Sequence, residues 1–408
     1  MSDPAALDAA DPLARFRDRF ALPEGVIYLD GNSLGALPRA SVARLAATVA
    51  EEWGRGLITS WNAAGWVAAP QRVGDKIARL VGAGAGEVIA CDSTSVNLFK
   101  LLTAALSLNP ARGTILSERG NFPTDVYMMQ GIETLTRGAV RARLVEPEEI
   151  EAALDGDVAV LLLTQVHYKT GQMRDIAALT ARAHACGALV LWDLSHSAGA
   201  VPVDLAAAEA DFAVGCGYKY LNGGPGAPAW LYVAWRHQDC VQPALSGWFG
   251  HARPFDFSDD FVPAAGIARF LCGTPPVLGL AALECGVDLM VEADGAQLRA
   301  KSVALGELFA ARMAPLCEKY GFALASPADS AERGSQIAYV HPEAYAIVQA
   351  LIARGVIGDF RAPDILRFGL TPLYLRFADI DHAVAILAEI MAARAWDRPE
   401  YLVRAAVT

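Results

Sequence analysis

Through the middle of the chain, short unbroken apolar runs alternate with longer stretches whose apolar residues recur three and four apart. The runs are EVIAC (87–91), GTILSE (113–118), RARLVE (141–146), DVAVLLLTQV (157–166), GALVLWD (187–193), DFAVGCG (211–217) and PAWLYVA (228–234). Between them, TSVNLFKLLTAALSL (94–108) and MRDIAALTARAHACG (173–187) read as helices, the second with helical spacing and a stop at a glycine. Continuous apolar runs separated by helices mark a mostly parallel sheet covered on both faces. The pattern predicts a large α/β domain of seven strands over 60–275, preceded by a segment, 1–59, that packs on the rest.

After Pro275 and Pro276 the texture changes. Residues 277–321 read as one or two long helices. SQIAYVH (335–341), a helix over 343–355, VIGDFRAP (356–363), DILRFGL (364–370) and a terminal helix from Asp381 follow. This is the alternation of a smaller α+β domain, 276–408. GAGAGE at 82–87 fails as a dinucleotide fingerprint: it precedes a strand, and Glu87 stands where the third glycine belongs.

Composition narrows the function. With 408 residues and 54% hydrophobic content the chain folds around a large core. A net charge of -11 argues against nucleic acid as a partner. The seven cysteines are scattered without CxxC pairs, as expected of reduced thiols in the cytoplasm and not of a disulfide framework or a zinc site. The opening MSDPAALDAADPLARF carries early acids and no apolar core, so no signal peptide is expected. Gly, Pro or charge breaks every apolar stretch before a membrane-spanning length.

In a parallel sheet, ligands bind beyond the carboxyl ends of the strands, and three such ends are unusual here. DSTS (92–95) opens a helix, where Thr94 and Ser95 either cap it or help its free N–H groups bind a phosphate. Asp193 ends the apolar run of LWDLSHSAG (191–199), with His196 three residues on. It is either a turn aspartate bonded to local backbone or the partner of a cationic ring nitrogen; a zinc pair would lack a third nearby ligand. Lys219, in GCGYKYLNGGPG (215–226), is either a surface turn residue or an amine in an apolar pocket able to bond an aldehyde. A phosphate nest, a strand-end carboxylate and a pocket lysine are together what pyridoxal phosphate requires.

The residues then carry a resemblance. YLDGNSLGALP (28–38), STSVNL (93–98), NFPTDVYMMQG (121–131), WDLSHSAGA (192–200), GCGYKYLNGGPG (215–226), GWFGH (247–251), GTPPV (273–277) and LRFGLTPLYLRF (366–377) resemble the fold-type-I, aminotransferase-like pyridoxal phosphate enzymes, and more closely the bacterial-type kynureninases. SHSAG is shared with cysteine desulfurases and speaks only for the wider class.

The resemblance implies hydrolysis of L-kynurenine to anthranilate and L-alanine in tryptophan catabolism. It makes Lys219 the cofactor lysine, Asp193 the acid on the pyridine nitrogen with His196 beside it, and Phe122 the ring stacked on the cofactor, with Asp125 as polar neighbour. Thr94 and Ser95 hold phosphate; Tyr218 contacts it and takes part in proton transfer. Trp248 and Thr274 reach the phosphate of the neighbouring subunit, which implies a homodimer with shared active sites, and Arg367 grips the substrate's α-carboxylate. Animal relatives carry Ser-Asn where this chain has Gly273-Thr274, and differ over GRGLITSWNAAGW (54–66), which implies a preference for kynurenine over its 3-hydroxy form. Three rivals stand beside this reading: a cysteine desulfurase using Cys272 as a mobile nucleophile, an aminotransferase, and a non-catalytic binding protein.

Overall fold

The computed structural model describes residues 3–241 and 243–404. Strand β1 (Ile27–Tyr28) lies in the N-terminal segment. There follow β2 (Val88–Ala90), β3 (Thr114–Glu118), β4 (Arg141–Val145), β5 (Val158–Thr164), β6 (Leu189–Asp193), β7 (Phe212–Gly215) and β8 (Trp230–Val233). These last seven form one sheet in the order β2-β8-β7-β6-β5-β3-β4. Pairing is parallel from β4 across to β7, while β8 runs antiparallel to both β7 and β2. Each of the seven apolar runs supplies one strand.

The reason is burial on both faces. Alternate residues point to opposite sides of a strand. Leu161, Leu163, Val190, Trp192 and Ala213 join one core cluster, and Val160, Leu162, Leu191, Phe212 and Val214 join the other. In these central strands neither face can be polar, so no alternation appears in the sequence; the edge strand β4, RARLV, is only partly buried and carries two arginines. Helices Thr94–Leu108 and Ile176–Ala185 start where a side chain caps them: Ser93 Oγ accepts from Val96 N, and an Asp175 oxygen from Ala178 N.

The C-terminal part begins with helices Val277–Glu292 and Gly295–Tyr320, divided at Asp294, whose carboxylate caps the second. Strands β9 (Ala323–Leu324), β10 (Gln336–Val340), β11 (Val356–Ile357), β12 (Asp359–Arg361) and β13 (Ile365–Gly369) follow. Four of them form an antiparallel sheet, β12-β13-β10-β9. The fifth, β11, pairs in parallel with β1, so the N-terminal segment is stitched to the C-terminal part.

The terminal helix departs from expectation. It runs Phe377–Ala392, four residues ahead of the anticipated Asp381. The Asp8 carboxylate accepts from the free N–H groups of Phe377, at 2.7 Å, and Ala378, at 3.1 Å. Asp379 accepts locally from Arg376 N at 2.9 Å, and the other end of the chain supplies this second cap. Lys301 and Asp11, both buried, form a second tie at 2.6 Å. Among the described residues no helix is long and apolar enough to cross a membrane, and no cluster of three His, Cys, Asp or Glu could hold a metal.

Candidate active site

The carboxyl ends of β5, β6 and β7 lie side by side. Thr164, the last residue of β5, is in register with Asp193, the last of β6. Asp193 is in register with Val214 of β7, and Lys219 follows four residues after that strand ends. The turn that carries Lys219 needs glycine at its close approaches. A Cβ on Gly217 would sit 2.2 Å from the Pro228 carbonyl, and one on Gly35 would sit 2.3 Å from the Lys219 carbonyl. Gly35 N donates to Tyr218 O at 2.7 Å, so the N-terminal segment clamps the lysine turn.

These ends open on a cavity of about 480 Å³. Of the residues singled out in the sequence, Thr94, Ser95, Phe122, Asp193, His196, Tyr218, Lys219 and Thr274 line it. Thr94 and Ser95 are the first two residues of their helix, where backbone N–H groups lack intrahelical partners. Lys219 is buried, its Nζ 2.9 Å from His196 Nε2 and 5.6 Å from the centre of the Phe122 ring. The Phe122 ring stands edge-on to Tyr168, centroids 5.2 Å apart.

Two carboxylates sit beneath. Asp193 Oδ1 accepts from Ser195 N at 2.8 Å. Burial raises the Asp193 carboxyl above its usual range, against the pull of the Ser195 hydrogen bond and Lys219. Asp125 does not line the cavity; it is fully buried beside Thr164, 3.4 Å away. Burial and then the charge of Asp193 push it well up, and its Oδ1 has no partner among the described residues. Two desolvated carboxylates at one end and free helix N–H groups at the other suit a ligand that is cationic at one end and anionic at the other. Pyridoxal phosphate has that polarity, and its aldehyde would fall to Lys219.

Besides Asp125, two predicted residues lie outside the wall. Arg367, on β13, is outside the cavity wall and ion-paired with Asp359. Trp248 is also outside the wall and 37% exposed, in ring contact with Phe255 at 5.8 Å. Thr274, expected to reach the phosphate of the neighbouring subunit, borders this chain's own cavity. Cys272, the thiol a desulfurase would need, lies outside the wall, donates to Leu245 O at 3.1 Å and has its pKa raised by burial.

Sequence reasoning missed Thr164, Tyr168 and Gln336. Thr164 carried a signal, a lone hydroxyl ending a seven-residue buried strand. Tyr168 and Gln336 sit on a loop and on β10, and nothing local marks them.

A model described as the kynureninase C-terminal domain matches residues 298–387. Across its full length the chain is 52% identical to the kynureninase of Pseudomonas fluorescens, covering 99% of that protein. The chain belongs to the kynureninase family. A kynureninase of Burkholderia pseudomallei strain 1106a is also 52% identical, over 99% of this chain and 98% of its own. Among solved structures, the cysteine desulfurase CsdA of Escherichia coli superposes with a TM-score of 0.76 over 93% of this chain and 98% of that one, at 20% identity. The cystine C-S lyase C-DES gives 0.74 over 90% and 98%, at 18% identity. Those two show a shared fold alone. The chain has the fold-type-I architecture of pyridoxal phosphate enzymes, with a large, mostly parallel sheet and a smaller C-terminal α+β part.

Proposed function

We propose that this kynureninase-family chain hydrolyses L-kynurenine to anthranilate and L-alanine with pyridoxal phosphate. The observation that carries the reading is the single cavity lined by the Lys219 amine, the Asp193 carboxylate and the helix terminus at Thr94–Ser95.

When bound, the cofactor draws electrons from the amino acid's α- and β-carbons, so that the bonds next to them break. Asp193, held by Ser195 N, keeps a proton on the pyridine nitrogen, and Asp125 supports it from below. Ser95 and Thr94 bind the phosphate with backbone N–H groups and hydroxyls. Phe122, which lines the cavity, would hold the ring. Lys219 would hold the cofactor's aldehyde and, as a free amine, would carry a proton at the substrate's α-carbon. Tyr218 donates a proton near the γ-carbonyl, to which water adds; burial and then the neighbouring Cys216 push its phenol up, so it stays protonated. Arg367 orients the α-carboxylate.

Support for a homodimer comes from the exposed cluster of Trp248, Phe255 and Phe257, the last two 60% and 77% exposed, since monomers rarely leave such patches uncovered. In that dimer Trp248 and Thr274 complete the phosphate site across the interface. All seven cysteines are unpaired, which supports a reducing, cytoplasmic setting. We also propose the division 1–59, 60–275 and 276–408, and a preference for kynurenine over 3-hydroxykynurenine. The test is incubation with L-kynurenine: anthranilate fluorescence and stoichiometric alanine are expected. Transfer of the amine to a 2-oxoacid, or sulfur release from cysteine, in place of anthranilate would overturn the reading.

A further inference from the structure

Gln336 enters the site from the far side. It stands on β10 of the C-terminal sheet and is fully buried. Its Nε2 lies 3.2 Å from the His167 carbonyl and 3.0 Å from the Tyr168 carbonyl. Carbonyls only accept, so the amide nitrogen faces them and the amide oxygen faces away. That oxygen lies 3.2 Å from His196 Nδ1. An amide oxygen also only accepts, so Nδ1 carries the ring proton. Burial, then the positive charges of Lys219, Arg367 and Arg361, hold the imidazole well below its ordinary pKa, and the ring is neutral. A neutral imidazole has one N–H. The other nitrogen, Nε2, therefore has a lone pair, and it is the one 2.9 Å from Lys219 Nζ.

We infer that Gln336 is a positioning residue that fixes the tautomer of His196 so that the ring accepts a hydrogen bond from the Lys219 amine. The direction of that bond matters for a nucleophile. An amine that donates to His196 keeps its own lone pair free on the cavity side once deprotonated. The opposite tautomer would donate Nε2–H into that lone pair and mask it. Two backbone carbonyls in the loop after β5 thus set, through one amide and one imidazole, which way the lysine nitrogen faces. The consequence for cofactor capture rests on the reading of Lys219 as the reactive amine; the tautomer itself does not.

The test is histidine side-chain nitrogen NMR of the full-length, cofactor-free protein, with His196→Gln to assign the signal. The Nδ1–H pattern is expected at neutral pH; an Nε2–H ring or an imidazolium would overturn the inference. This arm needs no Gln336 variant, so it decides even if the variant fails to fold. Gln336→Met keeps the length and removes both polar atoms. Mixed tautomers are expected, with the rate of pyridoxal phosphate capture, followed by absorbance of bound cofactor, slower by roughly tenfold. Slower capture with the tautomer unchanged would reduce Gln336 to a packing role and overturn the proposal. Wild-type protein with the Nδ1–H tautomer but no kynurenine turnover would sink the proposed function and leave this inference standing.

Discussion

Arg367 holds Asp359 in the fork of its guanidinium: Nε donates to Oδ1 at 2.9 Å and Nη2 to Oδ2. Both side chains are buried, 1% and 2% exposed. Nη2 also donates to Ser33 Oγ at 2.7 Å, Nη1 donates to Tyr168 O, and Arg361 shares the same carboxylate at 2.6 Å. The guanidinium edge assigned to the substrate is thus already occupied, and an incoming carboxylate must compete with Asp359 or use the remaining Nη1 hydrogen. Arg367→Lys loses the planar fork, and kcat/KM for kynurenine should fall about a hundredfold, mostly through KM. Steady-state kinetics within twofold of wild type would remove Arg367 from substrate binding. Asp359→Ala leaves a buried guanidinium without its main partner and should cost about 3 kcal/mol in urea unfolding.

Lys219→Ala should still bind pyridoxal phosphate through the phosphate and ring contacts, yet turn over at below about one per cent of the wild-type rate. Equilibrium binding and anthranilate release measure the two separately. Turnover near the wild-type rate would require another base.

Asp193→Asn keeps the shape of the site and removes the charge facing the pyridine nitrogen. Turnover should drop by about a hundredfold and cofactor affinity should weaken. Titration of apoprotein with cofactor, followed by activity at saturation, distinguishes the two effects. Full activity at saturating cofactor would contradict the assignment.

The far end of the sheet predicts an acid limit to stability. Burial alone would raise the carboxyl of Asp211, but hydrogen bonds from His237, His184, Val190 N and Arg236 win and lower it from 3.8 to about 2. A depressed folded pKa stabilises the fold above the unfolded value, and that contribution is lost as pH falls through the folded one. Between about pH 4 and pH 2 the protein should therefore lose about 2 kcal/mol through this group. Urea unfolding across that range should show the slope, and Asp211→Asn should flatten it.

Mixing chains tests the interface. Dimers of one Lys219→Ala chain and one Trp248→Ala chain carry both lesions in one site and neither in the other, provided Trp248 serves its partner. Activity should partly return on mixing. No recovery, with heterodimers shown by mass, would put Trp248 in its own chain's site.

Local pattern determined more of this protein than its site geometry suggests. While one of the seven runs, β4, closes the sheet edge and is only partly buried, the other six became strands buried on both faces, a demand written in every residue of β5. Asp193 and Lys219 were legible because a charge at the end of such a strand needs a reason. Tertiary structure alone decided what meets them. The reversal of β8, the start of the last helix at Phe377 under Asp8, the pairing of Arg367 with Asp359, and the link from Gln336 to His196 all join residues whose neighbours in sequence say nothing of one another. Periodicity records how much of a segment is buried. It does not record which donor, acceptor or charge from a distant segment makes that burial tolerable, because any partner of the right chemistry would leave the same local pattern.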